Sequence, residues 1–212
     1  MTTALVIDDH PVVLQGCKRF LEEAGVEEVW TSSSFSKGFQ LFRQHKPALL
    51  IVDLSVNTGA LGGLSFVQRM RLHDKKTPVI IFSMHSDPVI VSKAIALGAN
   101  GYLLKETWHE EFLSAFEEVR RGGSYISREI ASELAYVGVC GSSNPLHQLS
   151  MRELQVLSLI SKGQTYRTIA EDLGVSQKTI ANVAAEIKTK LMAENITEIM
   201  AIANKSGTAS IL

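Results

Sequence analysis

The residues best suited to phosphoryl or metal chemistry each stand directly after a short apolar run. Asp8 and Asp9 follow Ala4–Leu5–Val6–Ile7, Asp53 follows Ala48–Leu49–Leu50–Ile51–Val52, Ser83 follows Val79–Ile80–Ile81–Phe82, and Lys105 follows Gly101–Tyr102–Leu103–Leu104. Carboxylate oxygens suit a hard divalent cation, and Mg²⁺ needs only a few of them beside water and phosphate oxygens. An aspartate can attack a phosphoryl group and carry it covalently. A divalent metal neutralises charge on the transferring group, and a hydroxyl and an ammonium opposite can hold its oxygens. Taken singly, each residue has an ordinary explanation: Asp53 as a turn or helix-cap residue, Ser83 as a turn residue, Lys105 as a solvated side chain. Their shared placement at the ends of apolar runs is what points to one site.

Such a site requires a sheet whose strands end together. In a doubly wound α/β sheet, ligands gather at the carboxyl ends of the strands. Residues 12–24 carry Val13, Leu14, Cys17, Phe20 and Leu21 at helical spacing, and Gly25 follows as a helix C-cap does. Val29–Trp30–Thr31 reads as a strand, residues 35–44, 64–72 and 88–97 as helices, and residues 110–120 as an amphipathic helix ending at Gly122–Gly123. Apolar runs without alternation are strands buried on both faces. Five strands alternating with five helices predict a five-stranded doubly wound parallel sheet.

Composition sets the outer limits. The chain has 212 residues, 45% of them hydrophobic and 20% charged, with a formal net charge of −1. That is ordinary for a folded protein and gives no general basic character for nucleic-acid binding, although one small domain could carry such contacts. Two cysteines, Cys17 and Cys140, stand far apart and in no motif, which argues against a disulfide framework or thiolate metal site and for reduced thiols in a cytoplasm. Residues 1–10 show no signal-type stretch, and the longest apolar run, residues 47–52, is far shorter than the roughly 20 residues a membrane span needs. A cytoplasmic protein without a membrane segment is expected.

Beyond residue 123 the pattern changes. Residues 123–147 read as a linker holding a short helix, residues 128–136, and a run of turn formers from Gly138 to Pro145. Ser150–Met151–Arg152–Glu153 is a capping box opening a helix to about Lys162, and Gly163 ends it. A short helix over residues 166–173 ends at Gly174, Ser176 can cap a helix over residues 177–192, and Thr197 can cap a last one. The middle pair, joined by Gly174–Val175–Ser176, has the length and turn of a helix-turn-helix.

Residues 1–122 resemble the receiver domain of two-component response regulators. The resemblance lies in Ile7–Asp8–Asp9–His10, Asp53–Leu54, Ser83 and Gly98–Ala99–Asn100–Gly101–Tyr102–Leu103–Leu104–Lys105. It implies a flavodoxin-like fold and Asp53 as phosphoacceptor. It implies Mg²⁺ held by Asp9 directly, by Asp8 directly or through water, by Asp53 and by the backbone carbonyl of Ser55. It further implies Ser83 and Tyr102 as a switch pair and Lys105 as a partner of the phosphoryl group. The family's usual proline after the acceptor is missing, and the loop through Val56, Asn57, Thr58, Gly59, Ala60 and Leu61 is longer than its pattern.

Residues 148–212 resemble the LuxR-type helix-turn-helix of the NarL/FixJ class. The match runs through Leu149–Ser150–Met151–Arg152–Glu153–Leu154–Gln155–Val156–Leu157, Gly163, Ile169–Ala170–Glu171–Asp172–Leu173, Val175–Ser176–Gln177–Lys178–Thr179–Ile180 and Lys190–Leu191. By periodicity, Ile180, Ala184, Ile187 and Leu191 pack on the bundle, while Lys178, Ala181, Asn182, Ala185 and Lys188 face the major groove. Asn182 suits adenine, and the methyls of Ala181 and Ala185 suit thymine. Lys178, Thr179, Lys188, Lys190, Thr165, Arg167 and Ser176 are the candidates for phosphate contacts. The class usually carries Lys and His at the places of Ala181 and Val183, so the groove face here is altered toward an A·T-leaning site. By resemblance, the apolar face of the last helix, residues 199–203, is a candidate dimer seam.

Together these features predict a response regulator rather than an enzyme. A sensor histidine kinase would phosphorylate Asp53, the active form would dimerise, and the dimer would bind DNA to regulate transcription. A hydrolase working through an aspartyl-phosphate would place a second acid two residues after its nucleophile, where this chain has Ser55. An alternative is a phosphorylation-switched regulator whose helix-turn-helix has turned to protein contacts.

Overall fold

The fold is a computed structural model that describes residues 2–56, 61–106, 108–140 and 144–205. The loop positions Asn57–Thr58–Gly59–Ala60 and the turn formers Gly141–Ser142–Ser143 lie outside the described residues.

The first part alternates strand and helix as β1 (Thr3–Ile7), α1 (Pro11–Glu23), β2 (Glu28–Ser32), α2 (Phe35–His45), β3 (Leu49–Val52), α3 (Gly62–Arg71), β4 (Val79–Ser83), α4 (Pro88–Ala96), β5 (Gly101–Leu104) and α5 (Trp108–Arg120). Every residue of β3, β4 and β5 is buried, which is why those runs lack polar alternation. The strands are parallel in the order β2-β1-β3-β4-β5, with Ile7 beside Val52 and Ser83 beside Leu104. That register brings the ends of β1, β3, β4 and β5 to one edge. One apolar cluster on each side of the sheet, around Leu50, Ile81 and Tyr102 on one face and Val6, Phe82 and Phe116 on the other, holds the helices in place. Gly25 ends the segment of α1 at φ +83°, a left-handed geometry that a Cβ would strain.

The sheet has six strands rather than five. β6 (Tyr125–Ile126) adds in parallel beside β5, inside the stretch expected to be linker. It spans only two residues, too few to show a period, and it exists because Asn100 and Tyr102 offer it backbone carbonyls at 3.0 and 3.3 Å. The linker helix α6 (Arg128–Cys140) runs further than residues 128–136, and a 3-10 turn (Pro145–Gln148) precedes the second domain.

The last part is helical: α7 (Met151–Ser161), α8 (Tyr166–Asp172), α9 (Gln177–Lys190) and α10 (Ile196–Lys205). Ser150 and Glu153 close the expected capping box, and Ser176 caps α9 through the Thr179 amide at 3.1 Å. The cap of α10 is Asn195, whose Oδ1 accepts from the Glu198 amide at 2.9 Å. Thr197, expected in that role, sits inside the helix instead. Ile199 of the expected dimer seam is buried in its own bundle. Among the described residues, no helix is long and apolar enough to cross a membrane.

Candidate functional site

The edge formed by β1, β3 and β5 gathers the acidic residues. One ligand atom from each of Asp8, Asp9, His10 and Asp53 lies within 4.8 Å of the others. Asp8 and Asp53 are almost fully buried. Lys105, one residue past β5, reaches two of these acids, its Nζ at 2.6 Å from Asp8 Oδ2 and 3.0 Å from Asp53 Oδ2.

Electrostatics follow from burial. Burial raises the Asp53 carboxyl above its ordinary range, and only partly do Lys105 and the Ser55 amide pull it back. Burial alone would lower the Lys105 ammonium, but Asp53 and Asp8 outweigh it and hold Lys105 charged above its usual range. Three carboxylates against one ammonium leave an excess of negative charge around the buried Asp8 and Asp53. The donor set is hard oxygen with one imidazole, and it fits a small divalent cation held by Asp8, Asp9 and Asp53.

His10 belongs to this group although its sequence position suggested no role. Its Nδ1 lies 3.0 Å from Asp8 Oδ1 and 3.0 Å from Asp9 Oδ1, while its ring is mostly exposed.

Ser83, Tyr102 and Ser55 meet through a residue that sequence reasoning missed. His85 is 5% exposed. Its backbone amide donates to Ser83 Oγ at 3.1 Å, its carbonyl accepts from the Tyr102 hydroxyl at 2.6 Å, and its Nε2 lies 2.8 Å from Ser55 Oγ. Burial, helped by the cations Lys162 and Lys105, pushes the imidazole down to about 4, so it is neutral near pH 7. Tyr102 is fully buried with its hydroxyl turned inward, and burial raises that hydroxyl far above the usual phenol range. A histidine two residues past a strand end carries no period or motif, so nothing local marked it.

On the second domain, Lys178, Thr179, Ala181, Asn182, Ala185, Glu186 and Lys188 of α9 are exposed along one face. Ile180, Ala184 and Ile187 are buried on the other. Arg167 on α8 is exposed and paired with Glu171 at 3.1 Å. Lys190 is engaged elsewhere: its Nζ lies 2.7 Å from Glu153 Oε2, a carboxylate buried at the start of α7. That oxygen also accepts from the Ser150 amide at 2.6 Å, so Lys190 completes the capping box rather than standing free on the groove face.

The profile of the response regulator receiver domain matches residues 4–117, and that of the bacterial regulatory proteins of the luxR family matches residues 147–203. The chain is 35% identical over 196 residues to the methanol utilization control regulatory protein MoxX of Paracoccus denitrificans, covering 92% of this chain and 88% of that one. It is 31% identical over 212 residues to the transcriptional activator protein ExaE of Pseudomonas putida, covering 98% of each. A solved structure of the Salmonella typhimurium RcsB response regulator superposes with a TM-score of 0.76 at 22% identity, over 97% of this chain and 98% of that one, which is a likeness of fold.

Proposed function

This chain belongs to the response regulators that join a receiver domain to a LuxR-type DNA-binding domain, and from that premise we propose that Asp53 is the phosphoacceptor of a sensor histidine kinase and that its phosphorylation switches dimerisation and DNA binding. The observation that carries this reading is the placement of Asp53 between two further carboxylates and the Lys105 ammonium at the mouth of the sheet.

An Asp53 carboxylate oxygen forms the new bond to phosphorus as the P–N bond of a phosphohistidine donor breaks and its imidazole leaves. Asp8, Asp9, Asp53 and the Ser55 carbonyl are the groups that would hold Mg²⁺, which when bound would neutralise charge on the transferring group. Lys105 already stands at 3.0 Å from Asp53 and can follow the added charge of about −2. The Ser83 hydroxyl accepts from the His85 amide and is hydrogen-bonded to the Tyr102 hydroxyl, so a phosphoryl oxygen that takes the Ser83 proton does so in exchange for Tyr102. Tyr102 is coupled to the same segment through the His85 carbonyl, so any movement of Ser83 reaches it.

The exposed face of α9 is the reading surface. Asn182 with the Ala181 and Ala185 methyls reads bases, and Lys178, Thr179, Lys188 and Arg167 hold phosphates. A dimer would present two such helices to two half-sites. A second reading is favoured by one observation: Ala181, Ala185 and Glu186 leave that face short of cations. In it the helix-turn-helix binds a protein and the receiver still switches.

The test is phosphorylation with acetyl phosphate and Mg²⁺, read as the mass gain of one phosphoryl group, beside selection of random DNA. Phosphorylation lost in Asp53→Asn and an enriched DNA sequence bound only by the phosphorylated protein are expected. Phosphorylation with no enriched sequence would shift the reading to the protein-binding regulator. An unmodified Asp53 would overturn the switch.

A further inference from the structure

The amino ends of β3 and β4, at the edge of the sheet away from Asp53, carry a second concentration of charge, of opposite sign. A cleft of about 620 Å³ opens there between the end of α2 and the segment that joins α3 to β4. That volume lies within the roughly 300–1,000 Å³ of small-ligand sites. Arg43 and Lys46 line it from the α2 side, and His73, Lys75 and Lys76 line it from the α3–β4 segment. One carboxylate, Asp74, stands among the four cations. Both of its oxygens are engaged: Oδ1 accepts from the Lys76 and Thr77 amides at 2.7 and 2.9 Å, and Oδ2 accepts from the Thr77 hydroxyl at 2.5 Å.

Elsewhere on this chain, exposed cations pair with acids one helical turn away, as Lys18 does with Glu22, Arg19 with Glu23 and Arg167 with Glu171. Among the described residues, none of Arg43, Lys46, Lys75 and Lys76 has such a partner. The negative end of α2 accounts for Arg43 in its last turn. It does not account for Lys75 and Lys76, which lie past the last turn of α3, or for the conformation of Lys46. Lys46 holds φ +48° and ψ +59° at a helix end where glycine is the unstrained choice. A lysine there accepts strain and brings its ammonium to the cleft. The facing segment is preset as well. Arg71 Nη1 donates to the Thr77 carbonyl at 2.7 Å and Nη2 to the Gly98 carbonyl at 2.6 Å, while the His73 ring rests 5.8 Å from that of Phe39. Unpaired cations on a fixed frame can take a ligand without the cost of first ordering the site.

We infer that the cleft between Arg43 and Lys46 on one side and Lys75 and Lys76 on the other binds a short chain of linked phosphates, of the kind carried by a nucleoside triphosphate or a free oligophosphate. Cations on two facing sides suit a slender anion held between them, and a recess of this size holds a small ligand rather than a nucleic-acid duplex. Arg43 can grip one phosphate through two parallel hydrogen bonds, while the lysines act as point charges along the chain. Four cations exceed what one phosphate needs and match two or three in a row. The site lies at the opposite edge of the sheet from the acidic pocket and does not depend on the role of Asp53.

The test is calorimetric titration of the full chain with tripolyphosphate in metal-free buffer, where Asp8, Asp9 and Asp53 repel an anion. A salt concentration of about 0.1 M screens loose surface attraction beyond about 10 Å. Saturable binding of one tripolyphosphate per chain is expected. Lys75→Ala combined with Lys76→Ala should weaken it by about tenfold, the worth of two exposed charge contacts. Lys46→Gly removes a third ammonium and suits φ +48° better, so it should weaken binding while melting no lower than the parent. A loss of affinity in that variant cannot come from a damaged fold. ATP titrated in the same way separates the two sources: affinity no better than that of tripolyphosphate assigns the site to the phosphate chain alone, and tighter binding assigns it to a nucleotide. No saturable binding at millimolar tripolyphosphate would overturn the site, as would an affinity unchanged in both variants. A preference for a DNA duplex over both probes, lost in the same variants, would also overturn it and make these lysines part of a DNA-contacting surface.

Discussion

The Lys105 ammonium sits 3.0 Å from the Asp53 carboxylate while also holding Asp8 at 2.6 Å. One cation thus serves two buried acids, and removing it leaves both without their partner. Lys105→Met should destabilise the metal-free receiver by about 3 kcal/mol, the scale for breaking a buried pair from one side. Mg²⁺ should restore much of that loss, because a dication replaces the missing charge. Thermal unfolding with and without Mg²⁺ checks both parts, and a variant as stable as the parent in metal-free buffer would contradict the first.

Tyr102 and His85 are joined by the inward phenol, whose hydroxyl donates to the His85 carbonyl at 2.6 Å with both residues buried. Tyr102→Phe keeps the ring and leaves that carbonyl unsatisfied. A loss of about 1–2 kcal/mol is expected in urea unfolding of the receiver. A neutral substitution would mean that water or another donor reaches the carbonyl.

Asp87 caps α4 through the Val89 and Ile90 amides at 2.7 and 3.3 Å, and burial nevertheless pushes its carboxyl up to about 6. The folded state therefore holds this proton more tightly than the unfolded chain, whose aspartates titrate near about 3.9. The sign follows: the charged form costs stability, the cost is absent below pH about 4, and it grows as pH rises to about 6. Asp87→Asn retains a capping oxygen without the charge. It should match or exceed the parent's stability at pH 7, with the advantage shrinking as pH falls from 6 to 4. A variant less stable at pH 7 would show that the carboxylate charge is needed at the cap.

Lys188 and Lys190 stand two residues apart in sequence and differ in surroundings. Lys188 is exposed, whereas Lys190 pairs with buried Glu153 at 2.7 Å. Lys188→Ala should reduce the slope of log K against log salt for DNA binding by about one, with little change in folding. Lys190→Ala should lower the melting point of the second domain, by a loss of about 2 kcal/mol, and leave the salt slope nearly unchanged. Equal salt effects from the two would return Lys190 to the phosphate-contacting set.

Much of this protein could be read from its local patterns. Short apolar runs without alternation marked buried parallel strands, and parallel strands end on one edge. The residues just past those runs, Asp8, Asp9, Asp53, Ser83 and Lys105, therefore belong at that edge by pattern alone, and the structure gathers Asp8, Asp9, Asp53 and Lys105 there. The capping box of Ser150 and Glu153 and the cap at Ser176 are equally local, since each spans one helical turn. Tertiary packing decided the rest. β6 owes its existence to backbone groups that β5 leaves unpaired, which two residues of sequence do not announce. The Glu153–Lys190 pair joins residues 37 apart, and the Gln155–Ser65 bond joins residues 90 apart in two different domains. Such pairings depend on which helix faces which, and a buried polar atom takes whatever partner the packed chain brings within reach. Periodicity and capping act over a single turn or strand, so they specify the elements and the ends where the chemistry sits, while the contacts that link those ends to one another exist only once the elements have packed.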